Sequence, residues 1–155
     1  MAWSNSKVFS QYLSDKIANT TLMDYDADSF LVALYNNSIT PDQTVSAANS
    51  AYNAGQWAVA NEQSSAGQWA AGGVALASKT NTVSTNTVTI DAADTASGAT
   101  ATLANVYGCL VYDNTIASPV AKQGFCFNYF GGANSVTSGT FTVVWSANGI
   151  AKFTL

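Results

Sequence analysis

Two short runs set the terms on which this chain can fold. Val106-Tyr107-Gly108-Cys109-Leu110-Val111-Tyr112 is apolar at odd and even positions alike, and Phe125-Cys126-Phe127-Asn128-Tyr129-Phe130 is nearly so. Side chains alternate across a strand, so a strand that is apolar on both faces needs cover on both sides. Asp113-Asn114 ends the first run. Residues 115–124, with Pro119, read as a connection holding at most a short edge strand. The two runs together predict the core of a mainly β fold.

The remaining strand signals are weaker and need something to pack on. Phe30-Leu31-Val32-Ala33-Leu34-Tyr35 reads as a buried strand closed by Asn36-Asn37. Residues 57–60 and 74–77 suggest short strands, and residues 80–90 alternate Thr and Val like a half-exposed one. Residues 91–98 read as a polar loop. Phe141, Val143 and Trp145 alternate with polar neighbours, which places Trp145 inside. Asn148-Gly149 is the strongest hairpin signal, leading to a last strand with Ala151, Phe153 and Leu155 on one face. Many short strands with turns between them predict a single-domain β-sandwich or barrel-like fold.

One helix is expected, over residues 7–17. Val8, Phe9, Tyr12, Leu13 and Ile17 form an apolar stripe at helical spacing, with Ser4, Asn5 or Ser6 as caps. Such a helix either lies on the sheet or docks on a partner. Thr40-Pro41-Asp42-Gln43 has the form of a helix start. Thr44-Val45-Ser46 weakens it, and residues 47–52 suit a helical turn within a long ordered loop that stops at Gly55.

Composition narrows the function classes. The 155 residues are enough for one domain with a real core. Hydrophobic residues make up 48% and charged ones only 9%, so the polar share comes from Ser, Thr and Asn. Either the surface is partly covered by other subunits, where desolvated charge is costly, or this is simply an Ala- and Thr-rich β protein. The net charge of −4, the absence of Arg and the scattered Lys7, Lys16, Lys79, Lys122 and Lys152 argue against nucleic acid as a partner. No run is long and apolar enough for a membrane helix, and the N-terminus lacks the basic start and apolar core of a signal peptide. A chain made in a cytoplasm is therefore expected, with Cys109 and Cys126 buried and reduced.

The chemistry is sparse. Without His there is no Ser-His-Asp or Cys-His arrangement and no H-E-x-x-H zinc site, and two cysteines alone do not complete a zinc site. Asp24, Asp26 and Asp28 alternate as calcium ligands can, but Ser29 and Tyr35 stand where an EF-hand needs Gly and Glu. A solvated acidic turn is the expectation. Gly72-Gly73 and Gly131-Gly132 fit turns rather than phosphate loops. Glu62 is the only Glu, and no spacing picks out an Asp partner for glycoside hydrolysis. Neither an enzyme nor a cofactor is expected. Trp57 and Trp69, beside Gly-containing loops, are the candidates for an interface or for stacking on sugar rings.

Several blocks, in order, resemble a family of tailed-phage virion proteins from phages of actinobacteria. They are residues 1–9, Ala33-Leu34-Tyr35-Asn36-Asn37, Thr40-Pro41-Asp42-Gln43-Thr44-Val45 and Ala51-Tyr52-Asn53-Ala54-Gly55-Gln56-Trp57. Residues 70–76, 106–113, 125–132 and 139–145 extend the resemblance over nearly the whole chain. It is similar to small head proteins of the capsid decoration or minor capsid kind, although some relatives read as tail components. The resemblance implies a virion protein on the capsid exterior, with the major capsid protein as partner. It also implies self-association, as a trimer first and a dimer second. The expected capsid contact is the N-terminal segment, through Trp3, Lys7, Val8, Phe9 and Tyr12, acting as a mobile or docked arm. The expected subunit contact is through Trp57 and Trp69. A tail tube or connector protein and a glycan-binding host-recognition module are the rival readings.

Overall fold

The computed structural model describes residues 3–155. Its centre is an antiparallel sheet built on β2 (Phe30–Tyr35), β8 (Ala101–Asp113) and β9 (Gly124–Gly139). Before and between them come β1 (Lys7–Val8), α1 (Ser10–Ile17), α2 (Ala47–Ser50), β3 (Glu62–Gln63), β4 (Val74–Ala75), β5 (Thr80–Ser84), β6 (Thr87–Asp91) and β7 (Thr95–Ala96). β10 (Thr142–Val143) and β11 (Ala151–Thr154) complete the chain. The central sheet runs β1-β9-β8-β2-β3, with β4 also on β2. β5, β6 and β11 form a three-stranded sheet in the order β11-β6-β5, and β7 pairs with β10. A mainly β domain with a short N-terminal helix and a long ordered loop is the architecture expected from the sequence.

Both faces of the central sheet are covered, as the two doubly apolar runs require. On one face Phe30, Val32 and Leu34 of β2 join Cys109 and Val111 of β8 and Phe125 and Cys126 of β9. Met23, Tyr25 and Trp69 cover them, and Ile90, Ile150 and Ala151 bring the three-stranded sheet into the same apolar cluster. The opposite face presents Ala33, Tyr35, Leu110, Tyr112 and Phe127, covered by Trp3, Phe9, Ile39 and Trp57. The N-terminal segment and the long loop thus serve as the second layer. Cys109 and Cys126 are free thiols, fully buried, and burial pushes Cys109 up to about 12.

The N-terminus differs from the uniform helix that its periodicity predicts. Lys7 and Val8 pair with Phe127 and Cys126 of β9, and the helix begins only at Ser10. The sheet edge competes for these residues and wins, because β9 offers open backbone groups there. Phe9 stands at the cap position with no side-chain cap bond, and Ser6 Oγ instead accepts from the Tyr129 N–H at 2.9 Å. The stripe is therefore split: Phe9 is buried and Tyr12 packs edge-on against Phe125 at 4.9 Å, while Leu13 and Ile17 point outward.

Four other local readings change. The helix start falls at Ser46, whose side chain caps α2 through the Asn49 N–H; Asp42 Oδ1 instead accepts from the Thr44 N–H and hydroxyl in a tight turn. Residues 57–60 hold no strand, and a single 3₁₀ turn forms at Val59–Asn61. Residues 80–90 fold as the β5–β6 hairpin, turning at Thr85-Asn86 with Thr85 at φ +51°. The loop at 91–98 contains β7, which pairs with β10. Asn148-Gly149 does make a tight turn, with the Gly149 N–H bonding Ser146 O at 2.8 Å. The strand after it pairs with β6 rather than folding back, because β6 still offers an open edge: Ile150 N–H reaches Ile90 O at 2.8 Å, and Ala151 and Phe153 lie opposite Ile90 and Val88.

Gly108 allows the second layer to close. A Cβ there would lie 2.4 Å from Asn128 O and 2.5 Å from the Trp3 ring. Gly108→Ala is expected to lower stability by about 1–3 kcal/mol through overpacking. Urea denaturation measures it, and the loss of Trp fluorescence should shift to lower urea.

Candidate functional site

The aromatic residues singled out as surface anchors are mostly core. Trp3, Phe9, Trp57 and Trp69 are all fully buried. Trp57 lies among Trp3 (5.9 Å), Phe9 (6.0 Å), Tyr35 (5.2 Å) and Phe127 (5.8 Å), mainly edge to face. Edge-to-face packing suits the ring quadrupoles. The Tyr35 hydroxyl donates to Trp57 O at 2.7 Å, and the Trp3 indole N–H to Asn36 O at 2.8 Å. Trp69 donates its indole N–H to Val32 O and packs edge-on against Phe141 at 6.0 Å. In the folded chain Trp57 and Trp69 therefore present no ring to a neighbouring subunit or to a sugar. Their flanking glycines signalled turns that fold the rings inward. Trp3 and Phe9 likewise form a strap over the sheet rather than a mobile arm. Of the expected contact residues, Lys7 is exposed, and Val8 and Tyr12 are partly covered.

What the N-terminal segment leaves outside is the other side of α1. No residue of α1 is fully buried. Leu13 is 43% and Ile17 80% exposed, and with Ser10, Ser14 and Ala18 they line one shallow groove. The helix is held elsewhere, by Lys16 Nζ donating to Met23 O at 2.7 Å and by Gln123 Nε2 donating to Asp15 Oδ2 at 3.0 Å. Its orientation is thus fixed by polar contacts and Tyr12, with the Leu13–Ile17 side open. Sequence periodicity found these two residues in one stripe with Phe9 and Tyr12, and left open whether that stripe lies on the sheet or docks on a partner.

The acidic turn is built around a lysine. Asp24 Oδ1 accepts from the Asp26 and Ala27 N–H groups, and Asp28 Oδ2 accepts from the Asp24 N–H at 2.6 Å. The carbonyls of Tyr25, Asp26 and Asp28 receive the Lys79 ammonium, which also lies 5.5 Å from the Tyr25 ring centre and 5.4 Å from that of Phe30. A side-chain cation satisfies the turn. No group of three potential metal ligands occurs among the described residues.

Glu62 is similarly committed. Its carboxylate accepts from the Tyr52 hydroxyl at 2.8 Å and the Gly72 N–H at 2.7 Å. Tyr52 stacks on Tyr112 at 4.8 Å, and the Tyr112 hydroxyl donates to Gly72 O at 2.8 Å. Burial raises the Glu62 carboxyl, against the lowering effect of those two bonds. The arrangement ties β3 and the loop before β4 to β8. No second carboxylate is paired with Glu62 in this network.

Asp113 closes β8. Its Oδ1 accepts from the Thr115 N–H at 2.7 Å and the Ile116 N–H at 3.3 Å, while Oδ2 is buried without a bond that would satisfy a charge. Burial pushes its carboxyl up to about 6, and Asp28 beside it adds to the rise.

Comparison with protein-family models, with curated proteins and with solved structures finds no match for this chain. No helix among the described residues is long and apolar enough to cross a membrane.

Two outcomes follow. Trp57→Ala should destabilise the fold by roughly 3–5 kcal/mol, the cost of emptying a large core site, rather than act only on association. Thermal unfolding at low protein concentration reads this. For Asp113, a folded pKa above the ordinary carboxyl value of about 3.9 means that the protonated form is favoured in the fold. Its contribution is complete below about pH 4 and is lost as pH rises through about 6. Asp113→Asn, which keeps the accepting oxygen and stays neutral, should flatten this part of the stability–pH profile from chemical denaturation at pH 4 to 7.

Proposed function

We propose that this chain is a structural virion protein of a tailed phage, a capsid decoration protein that binds the outer surface of the assembled head and stabilises the shell. The phage assignment comes from the ordered sequence blocks. The assembly class is carried by one structural observation, the uncovered apolar side of α1 at Leu13 and Ile17. A helix fixed in place by Tyr12, Asp15 and Lys16, with two large apolar side chains left outward, is shaped to meet a protein surface. The charge-poor, Arg-free chain suits a role close to packaged DNA without binding it.

The contact surface to the major capsid protein is accordingly revised. Trp3 and Phe9 anchor the segment before the helix in the core, Tyr12 and Lys16 hold the helix itself, and Leu13 and Ile17, with Ser10, Ser14 and Ala18 around them, make the central contact. Leu13→Asp with Ile17→Asp should leave the melting temperature nearly unchanged, since both sites are exposed. Sedimentation with shells lacking this protein should show wild type bound at saturation and the double variant at least about tenfold weaker, the loss expected when a central apolar contact is replaced by charge. Equal binding by both would reject this contact. Absence of wild-type binding to heads, with binding to tail structures, would replace decoration by a tail role.

A further inference from the structure

The open edge of the three-stranded sheet has the geometry of a self-pairing strand. In the β5–β6 hairpin, Thr80, Thr82 and Ser84 lie opposite Asp91, Thr89 and Thr87, and Asn81 and Val83 opposite Ile90 and Val88. Asn86 O and Ile90 O both bond toward β11, to the N–H groups of Leu155 and Ile150. Even-numbered β6 residues therefore turn their backbone groups to β11, and odd-numbered ones turn theirs to β5. It follows from antiparallel pairing that Thr80, Thr82 and Ser84 bond inward, while Asn81 and Val83 direct N–H and C=O out along the edge. β5 is the terminal strand of its sheet, and all five of its residues are exposed.

Edges of this kind are normally blunted by Lys, Pro, a bulge or a covering segment. Thr80-Asn81-Thr82-Val83-Ser84 has no charge and no Pro, its pairing with β6 runs without a register shift, and Val83 is 74% exposed.

We propose that β5 pairs antiparallel with β5 of a second copy of this chain, across a two-fold axis at Thr82. Outward residues must face outward residues, which allows registers centred on Asn81, Thr82 or Val83. Only the one centred on Thr82 pairs both outward residues within the strand, with Asn81 opposite Val83 of the second copy and Val83 opposite its Asn81. Each such pair exchanges two backbone bonds. Thr82 then faces its own copy in the closely spaced non-bonded position, a favourable Thr–Thr pair. The two three-stranded sheets join into one of six strands. A different protein strand could use the same donors, but the uncharged, self-complementary edge and its central Thr82 favour a like copy. The inference concerns the self-association expected of a decoration protein, yet it stands on strand geometry alone, and its test contains no capsid. It favours the dimer over the trimer.

An interface of two short strands is small, so the dimer is expected to be weak on its own. Sedimentation equilibrium of the full chain up to about 1 mM reads it, a concentration at which even marginal association is visible. Wild type should self-associate. T82K and T82E, at an exposed site, should keep the wild-type melting temperature and each dissociate several-fold more readily, because like charges meet at the axis. An equimolar mixture of T82K and T82E should recover association. A wild type monomeric throughout, a T82K variant that associates like wild type, or a mixture no stronger than its components would overturn the proposal.

Discussion

The structure depends on the stretches of three neighbouring strands that are apolar on both faces. Phe30–Tyr35 of β2 and residues 106–112 of β8 and 125–127 of β9 cannot leave either side to water, so much of the remaining chain is distributed as cover. The three-stranded sheet and Trp69 take one face; Trp3, Phe9 and Trp57 take the other. The second assignment is unusual in using irregular chain for a whole layer. It works because large aromatic rings supply apolar area without regular structure; the Trp3 indole N–H finds a backbone acceptor at Asn36 O, while the buried Trp57 Nε1 has no hydrogen-bond partner. Gly108 is the condition for it: only a residue without Cβ admits the Trp3 ring so close to β8. Every exposed feature of the N-terminal segment follows from this anchoring. Once Phe9 and Tyr12 are drawn inward, Leu13 and Ile17 have no place left in the core.

The same economy governs the polar groups. With few charges available, two of them hold the fold from within. Lys79 fills the carbonyls of the 24–28 turn, and Glu62 bridges Tyr52 and the Gly72 N–H. Groups that in isolation suggest a cation site or a catalytic acid are engaged in holding loops to the sheet. The outer surface carries scattered charges such as Lys7, Asp42, Asp94, Lys122 and Lys152 among a majority of hydroxyls, amides and a few apolar side chains, so few ions have to be desolvated against another protein.

The central strands were legible because their signal is local: consecutive apolar side chains, turn residues at the ends, and no competing periodicity. β2 matches its predicted span, the helical turn at Ala47–Ser50 falls within residues 47–52, and the Asn148-Gly149 turn lies where turn chemistry put it, whereas the helix cap is Ser46 and not Thr40. Partner choice was less legible. Nothing within residues 141–155 indicates that the last strand joins β6, since that depends on an edge formed some sixty residues earlier. The N-terminal stripe misled because five apolar residues at helical spacing do not reveal that two of them will be taken by a sheet edge and a pocket beneath Trp57. The buried tryptophans misled for a related reason. A Trp beside a Gly-containing loop looks exposed in sequence, and only the long-range cover relation to β2 and β9 turns it inward. That left the site half visible, with Leu13 and Ile17 identified as apolar but not separated from Phe9 and Tyr12, which turn inward.

The proposed head contact requires a strapped N-terminal segment and an outward face of α1 turned toward the shell. Cryo-electron microscopy of virions carrying this chain tests that contact most directly. The account predicts density for the chain repeated over the head lattice, with α1 turned toward the shell and Leu13 and Ile17 at the contact. Density confined to the tail, or on the head with α1 facing solvent, would contradict it.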